Sequence, residues 1–187
     1  MNRPRVSIYL GMSIDQQIAR PDGSLDWLER FNDASAGDYG YSRFFATIDT
    51  VVLGRSTFDT VLGFDQWPYE GKRVVVFSHR ELKDERVEVA SGALAPVLSS
   101  LAARGSEHVY LDGGQLVQQA LKENVVDLMT LSMVPHLLGS GRPLFTQGLP
   151  ELRLTLLGIQ AYPNGMVQLR YQRADSAPGG GIGDAGR

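Results

Sequence analysis

Five short apolar runs, each closed by a turn residue or a glycine, constrain this chain more than any other feature. They are Val6 to Met12, Asp49 to Leu53, Val74 to Phe77, Val109 to Leu111 and Leu128 to Val134. Each is too short for a globular helix and carries too little polar alternation for a half-exposed strand. Such runs read as strands buried on both faces. Helical signals lie between them. Ser56 to Leu62 has helical character, Leu94, Val97, Leu98 and Leu101 form one apolar stripe, and Leu116, Ala120 and Leu121 follow Asp112-Gly113-Gly114. Pro21 to Ser24 reads as a turn, with Ser24 as N-cap of a helix through Trp27, Leu28 and Phe31. This alternation predicts an α/β domain with a mostly parallel sheet and helices on both faces.

The pattern changes after residue 150. Leu152, Leu154 and Leu156 alternate with polar residues, as do Val167, Leu169 and Tyr171, and Asn164-Gly165 between them is a type I′ turn pair. The spacing predicts an antiparallel C-terminal hairpin. Residues 1–174 read as a single domain. The glycine-rich stretch 175–187 cannot bury a core and reads as a flexible tail.

Composition narrows the function. The chain has no cysteine, which excludes a disulfide scaffold, a cysteine zinc site and a cysteine nucleophile. Its histidines, at 79, 108 and 136, have no metal-ligand spacing, so no metal is expected. The net charge of −3 argues against bulk binding of nucleic acid. Val6 to Met12 is too short to span a membrane, and a cytoplasmic protein without membrane contact is expected. Of 18 basic residues 15 are arginine, an excess that base composition accounts for unless particular arginines find a role.

Chemistry concentrates at strand ends. Gly54-Arg55-Ser56-Thr57 and Asp112-Gly113-Gly114-Gln115-Leu116 are both strand-to-helix junctions. Glycine there lets a backbone approach a ligand, and the free N–H groups of a helix start point at an anion. Arg55 adds a planar fork suited to phosphate. Read alone, each junction is equally a tight turn, and neither matches a dinucleotide fingerprint of the G-x-G-x-x-G type. Ser78-His79-Arg80 leaves a third strand and could receive a phosphomonoester, such as the 2′-phosphate of NADP. Among the early carboxylates, Asp15, Asp22 and Asp26, the last sits in a first helical turn, where the helix dipole alone can explain it. Gln66-Trp67-Pro68-Tyr69 could wall a flat ring site or merely cover the sheet end.

In order along the chain, Met12 to Ala19, Pro21 to Leu28, Leu53 to Phe58, Trp67 to Tyr69 with Val76 to Ser78, Asp112 to Gly114 and Pro135 to Phe145 resemble motifs of the dihydrofolate reductase-like superfamily. They look closest to proteins related to the reductase domain of riboflavin-biosynthesis deaminase–reductases. The resemblance spans residues from about 5 to 173 and implies a three-layer αβα fold, NADPH as cofactor, and reduction of a C=N or similar group in a pteridine- or pyrimidine-like ring. By residue, it implies nicotinamide at Gly11, Ile18 and Ala19, and phosphate at Gly54, Arg55, Ser56 and Thr57. The 2′-phosphate falls to Ser78, His79 and Arg80, and the pyrophosphate to Gly113, Gly114, Gln115 and Leu116. Asp26 and Trp67 face the substrate; with Asp26 as the candidate catalytic residue and Trp27 and Trp67 as substrate-binding residues, protonation is expected from Asp26 or from a water it orders. A homodimer is implied as well. Gln16 stands where the family keeps glycine, and Lys72 where dihydrofolate reductases keep an arginine for folate. No H-x-E…P-C-x-x-C deaminase motif occurs. The alternatives are a true dihydrofolate or riboflavin-pathway (5-amino-6-ribosylaminouracil phosphate) reductase, and a nucleotide-binding module without catalysis.

Overall fold

Alternate residues of the apolar runs enter two different cores. Val51, Leu53, Val74 and Val76 join one cluster, while Val52, Val75, Val109 and Leu111 join another. A sheet buried on both faces follows. The computed structural model describes residues 3–29, 31 and 37–174, so the expected glycine-rich tail lies outside the described residues.

In chain order the elements are β1 (Arg5–Ser13), β2 (Gln17–Ala19), α1 (Asp26–Glu29), α2 (Tyr41–Ala46), β3 (Thr50–Gly54), α3 (Arg55–Val61), β4 (Arg73–Phe77), β5 (Glu88–Ala90), α4 (Leu94–Ala103), β6 (His108–Asp112), α5 (Gly114–Lys122), β7 (Leu128–Val134), β8 (Arg142–Pro143), β9 (Leu154–Ala161) and β10 (Val167–Arg173). The main sheet runs β5-β4-β3-β6-β1-β7-β10-β9. Its first six strands are parallel, and β10 pairs antiparallel with both β7 and β9. The five apolar runs are β1, β3, β4, β6 and β7, and the sheet with its antiparallel end is the one expected.

Topology places the site. From β3 the chain passes through α3 to β4 on one side, and from β6 it passes through α5 to β7 on the other. Right-handed crossovers in opposite directions put these helices on opposite faces. Accordingly Phe58 and Val61 of α3 pack with Val51 and Leu53, and Leu116, Val117, Ala120 and Leu121 of α5 pack with Val52 and Leu111. The carboxyl ends of β3 and β6, adjacent through Leu53 and Asp112, therefore flank a topological switch point, where open α/β sheets bind ligands.

Two local expectations are corrected. Ser24 does not cap a helix. Its N–H and hydroxyl both donate to Asp22 Oδ1, closing a turn before the four-residue α1. The hairpin turn is not type I′, because that turn needs positive φ at both central residues and only Gly165 has it, at 85°. The ring of Pro163 fixes a negative φ, the Gly165 N–H donates to the Tyr162 carbonyl, and Gly165 takes the left-handed position that follows. In the hairpin a bulge at Leu157 keeps Leu154, Leu156 and Ile159 opposite Arg173, Tyr171 and Leu169, so these exposed apolar side chains share one face.

Helix α4 begins at Ala93 without a side-chain cap of its own. The carboxylate of Glu123, just past α5, accepts from the Leu94 N–H at 2.8 Å and the Ala95 N–H at 3.1 Å. Glu123→Ala is expected to cost about 1–2 kcal/mol, as loss of an N-cap does, read as a lower urea midpoint with an unchanged m-value.

Candidate active site

The carboxyl edge gathers three expected segments around the switch point. A Cβ on Gly113, which has a φ of 107°, would lie 2.5 Å from Thr57 Oγ1 and 3.4 Å from the Gly54 nitrogen. A Cβ on Gly114 would collide with Ile18 Cδ1. Gly54, Thr57, Gly113, Gly114 and Ile18 therefore form one contact group, drawn from β2, β3, α3 and the β6–α5 junction. Neither α3 nor α5 has a side-chain N-cap, which leaves first-turn N–H donors at this edge for an anion. Gln115 is exposed there, whereas Leu116 is 3% exposed and packs into the core behind it.

Parallel pairing of Gly54 with Phe77 sets Arg55 next to Ser78. The Arg55 guanidinium is held by Asp59 one turn on, at 2.8 Å, with Ser56 exposed beside it. Ser78 is buried, and its hydroxyl accepts from the Arg80 N–H and donates to the Arg80 carbonyl, closing a tight turn that leaves His79 and Arg80 exposed. Arg55 and the Ser78–Arg80 turn thus leave neighbouring strand ends.

The segment 13–20 lies across this edge. Asp15 accepts from the Ser13 hydroxyl at 2.6 Å and from the Leu138 and Gly139 N–H groups at 3.1 and 2.8 Å, and these bonds, led by Ser13, hold its carboxyl below the ordinary range. Strands β2 and β8 pair, and the Ala19 carbonyl sits where a Gly141 Cβ would be. Gln16 adopts a φ of 63°, the left-handed conformation that glycine would take without strain. Gly11 lies inside β1, and a Cβ there would lie 3.2 Å from a Leu28 methyl.

The expected substrate residues are placed differently from one another. Trp27 is 2% exposed and stacks on His136. Trp67 is half-buried against Phe58 and Tyr69, with the Arg86 guanidinium over its ring at 4.4 Å. Asp26 is exposed and receives two bonds from Arg20, at 2.6 and 3.0 Å. That ion pair holds the Asp26 carboxyl below its ordinary range.

A residue not singled out as a site residue stands closer to the switch point. Asp112 ends β6, and burial pushes its carboxyl above the ordinary carboxylate range, against the opposing pull of bonds from Tyr69, the Gly113 N–H and Tyr110. The Tyr69 hydroxyl lies 3.4 Å from Asp112 Oδ2. Tyr41, Tyr110 and Tyr69 surround this carboxyl on the α2–α3 face, and their phenols are all pushed upward, chiefly by burial. The available signal was a carboxylate directly after a buried run and directly before a glycine pair. Surface hollows beside Arg3 and Ser106, and beside Thr47 and His108, lie at the opposite edge, where His108 Nε2 already meets the Ser7 hydroxyl at 2.7 Å. Among the described residues no His, Asp and Glu side chains group as a metal site, and no helix is long and apolar enough to cross a membrane.

A family model for the RibD C-terminal domain matches residues 4–168. The chain belongs to the RibD C-terminal domain family. Its structural neighbours are RibD-like proteins, and the fold is dihydrofolate reductase-like. The uncharacterized protein YwjB of Bacillus subtilis is 37% identical over 171 residues, covering 89% of this chain and 97% of YwjB. A putative riboflavin biosynthesis protein from Shewanella superposes with a TM-score of 0.83 at 32% identity, over 90% of this chain and 98% of that one. The Thermotoga maritima diaminohydroxyphosphoribosylaminopyrimidine deaminase/5-amino-6-(5-phosphoribosylamino)uracil reductase shares the fold, with a TM-score of 0.70 at 16% identity over 92% of this chain and 57% of that one.

Proposed function

We propose that this RibD-type domain is an NADPH-dependent reductase of a C=N or similar group in a flat pteridine- or pyrimidine-like ring, with Asp112 as the proton donor. The carrying observation is that an anion cradle and a half-buried carboxyl, shifted upward by desolvation, meet at one switch point. A bound dinucleotide supplies a hydride, so a reduced C=N gains that hydride at carbon and a proton at nitrogen. The residues present fit such a group. Gly113 and Gly114 admit backbone close to a pyrophosphate, the uncapped N-terminus of α5 offers donors to it, and Arg55, Ser78 and Arg80 flank the place for a 2′-phosphate. Ile18 and Ala19, held across the cradle by β8, would exclude water from the nicotinamide face.

The proton assignment moves from Asp26 to Asp112 on electrostatic grounds. A general acid must carry its proton near neutral pH. The Arg20 ion pair favours the charged form of Asp26, while burial favours the protonated form of Asp112. Asp26 and Arg20 then act together as a fixed polar pair at the rim. Lys72 donates to the Ile48 carbonyl at 2.7 Å and lies over the Phe45 ring, which supports a substrate without a folate glutamate tail.

The reading is tested by titrating the protein with NADPH and NADH and then assaying turnover on a panel of pterins, dihydrofolate and aminouracils. Binding of neither dinucleotide sinks it, and binding without turnover on any ring favours a nucleotide-binding module. Arg55→Ala is expected to weaken NADPH by about 10–100-fold, the worth of a charge-assisted bond of roughly 1.5–3 kcal/mol, and to leave NADH nearly unchanged.

A further inference from the structure

Resting on the reading of Asp112 as the acid, we propose that Tyr69 is its positioning residue: the phenol engages Oδ2, so that the transferable proton resides on Oδ1. The geometry gives Tyr69 few alternatives. It is 4% exposed, its ring edges against Trp67 at 5.4 Å, and it packs near Phe45 at 6.2 Å. The turn carrying it is closed by the Lys72 N–H donating to the Tyr69 carbonyl, and Lys72 is itself tied to Ile48. A phenol caged in this way cannot swing to another acceptor, and its bond to Asp112 Oδ2, at 3.4 Å, is long enough to tighten when a ligand closes the edge.

A carboxyl that accepts through one oxygen donates through the other. Without Tyr69 the bonds from the Gly113 N–H and Tyr110 remain, but Oδ2 loses its Tyr69 donor and the proton is held less firmly on Oδ1. The same bond bears on the charged form. The groups facing Asp112 are phenols on three elements, Tyr41 of α2, Tyr110 of β6 and Tyr69 of the segment before β4. All three are neutral at ordinary pH, so hydrogen bonding rather than neighbouring charge opposes the burial of Asp112. Removal of the Tyr69 hydroxyl takes away support for the carboxylate and leaves burial in place. The sign is therefore a higher midpoint for Asp112.

The test is a titration of the aspartate side-chain carbons by carbon-13 NMR in the ligand-free protein, with the Asp112 signal assigned from Asp112→Asn. In the unsubstituted protein this signal is expected to titrate above the other aspartates. Tyr69→Phe is expected to move it to still higher pH, and Tyr41→Phe, whose phenol has no bond to Asp112, to leave it in place. A ring-fluorinated tyrosine at position 69 keeps the packing and strengthens the donor, so it is expected to move the midpoint down even if Tyr69→Phe folds poorly. If the Asp112 signal titrates with the ordinary aspartates, the buried-acid reading of the site is wrong. If it titrates high but neither change at position 69 moves it, that reading stands and the Tyr69 proposal is overturned. For any ring that turns over, the alkaline limb of kcat should move with the NMR midpoint while NADPH binding stays fixed.

Discussion

Asp112→Asn is expected to lower kcat by about 10²–10⁴-fold, the usual worth of a general acid, and to leave the NADPH dissociation constant unchanged. The amide keeps the shape of the side chain and its contact with Tyr69, so the loss is of the proton and not of the fold. Asp26→Asn is the matched comparison. Asp26 is exposed and already ion-paired with Arg20, so removing its charge frees Arg20 and changes substrate affinity more than turnover. A large kcat loss in Asp26→Asn together with full activity in Asp112→Asn would reverse the two roles. The pH dependence has a definite sign. The acid works in its protonated form, and burial raises the pH at which Asp112 loses its proton. Turnover is therefore expected to be full on the acid side of that raised midpoint and to fall as pH rises through it. An acid at Asp26 would instead fail above the lowered carboxylate range, and activity at neutral pH would be residual.

The sheet was readable because burial on both faces leaves a plain mark, a run without alternation, and β1, β3, β4, β6 and β7 all carry it. Elements of two to four residues leave no such mark. Strands β2 and β8 exist because Gln17 and Ala19 pair with Pro143 and Arg142 across more than a hundred residues of chain, and no local pattern states that pairing. Helix α2 hides for another reason. Tyr41, Phe44 and Phe45 do stand at i, i+3 and i+4, but a six-residue helix carries this helical spacing for little more than one turn, and what fixes it is the clustering of their rings with Tyr9, Tyr69 and Tyr110.

The site was half legible. Strand-end glycines pointed at the cradle, and the parallel register of β3 with β4 and β6 then brought Gly54, Ser78 and Gly113 to one edge. Charge states were not legible. Asp26 and Asp112 are the same side chain, and only Arg20 beside one and a buried ring of tyrosines about the other set them apart. For Asp15, nothing local states that three donors from two segments converge on it.

Gly113→Ala is expected to be strongly damaging. Two independent costs meet there. The φ of 107° is a conformation that residues with a Cβ rarely adopt, at roughly 1–3 kcal/mol. The added carbon also falls 2.5 Å from Thr57 Oγ1, and forced repacking of this kind costs about 1–3 kcal/mol. Their sum, roughly 2–6 kcal/mol, is a large part of the whole stability of an ordinary domain. The costs separate in a double variant. Thr57→Ala removes the clash and leaves φ untouched, so Gly113→Ala on that background should recover part of the loss and no more. Gly114→Ala is the contrast, because its obstacle is the flexible end of Ile18 and its φ is ordinary. It should cost less stability and instead loosen the segment carrying Ile18, seen as weaker NADPH binding with a nearly unchanged urea midpoint. Should Gly113→Ala unfold at the same urea concentration as the unsubstituted protein, the close approach of α3 to the β6–α5 junction is not as described, and the cradle built on it falls too.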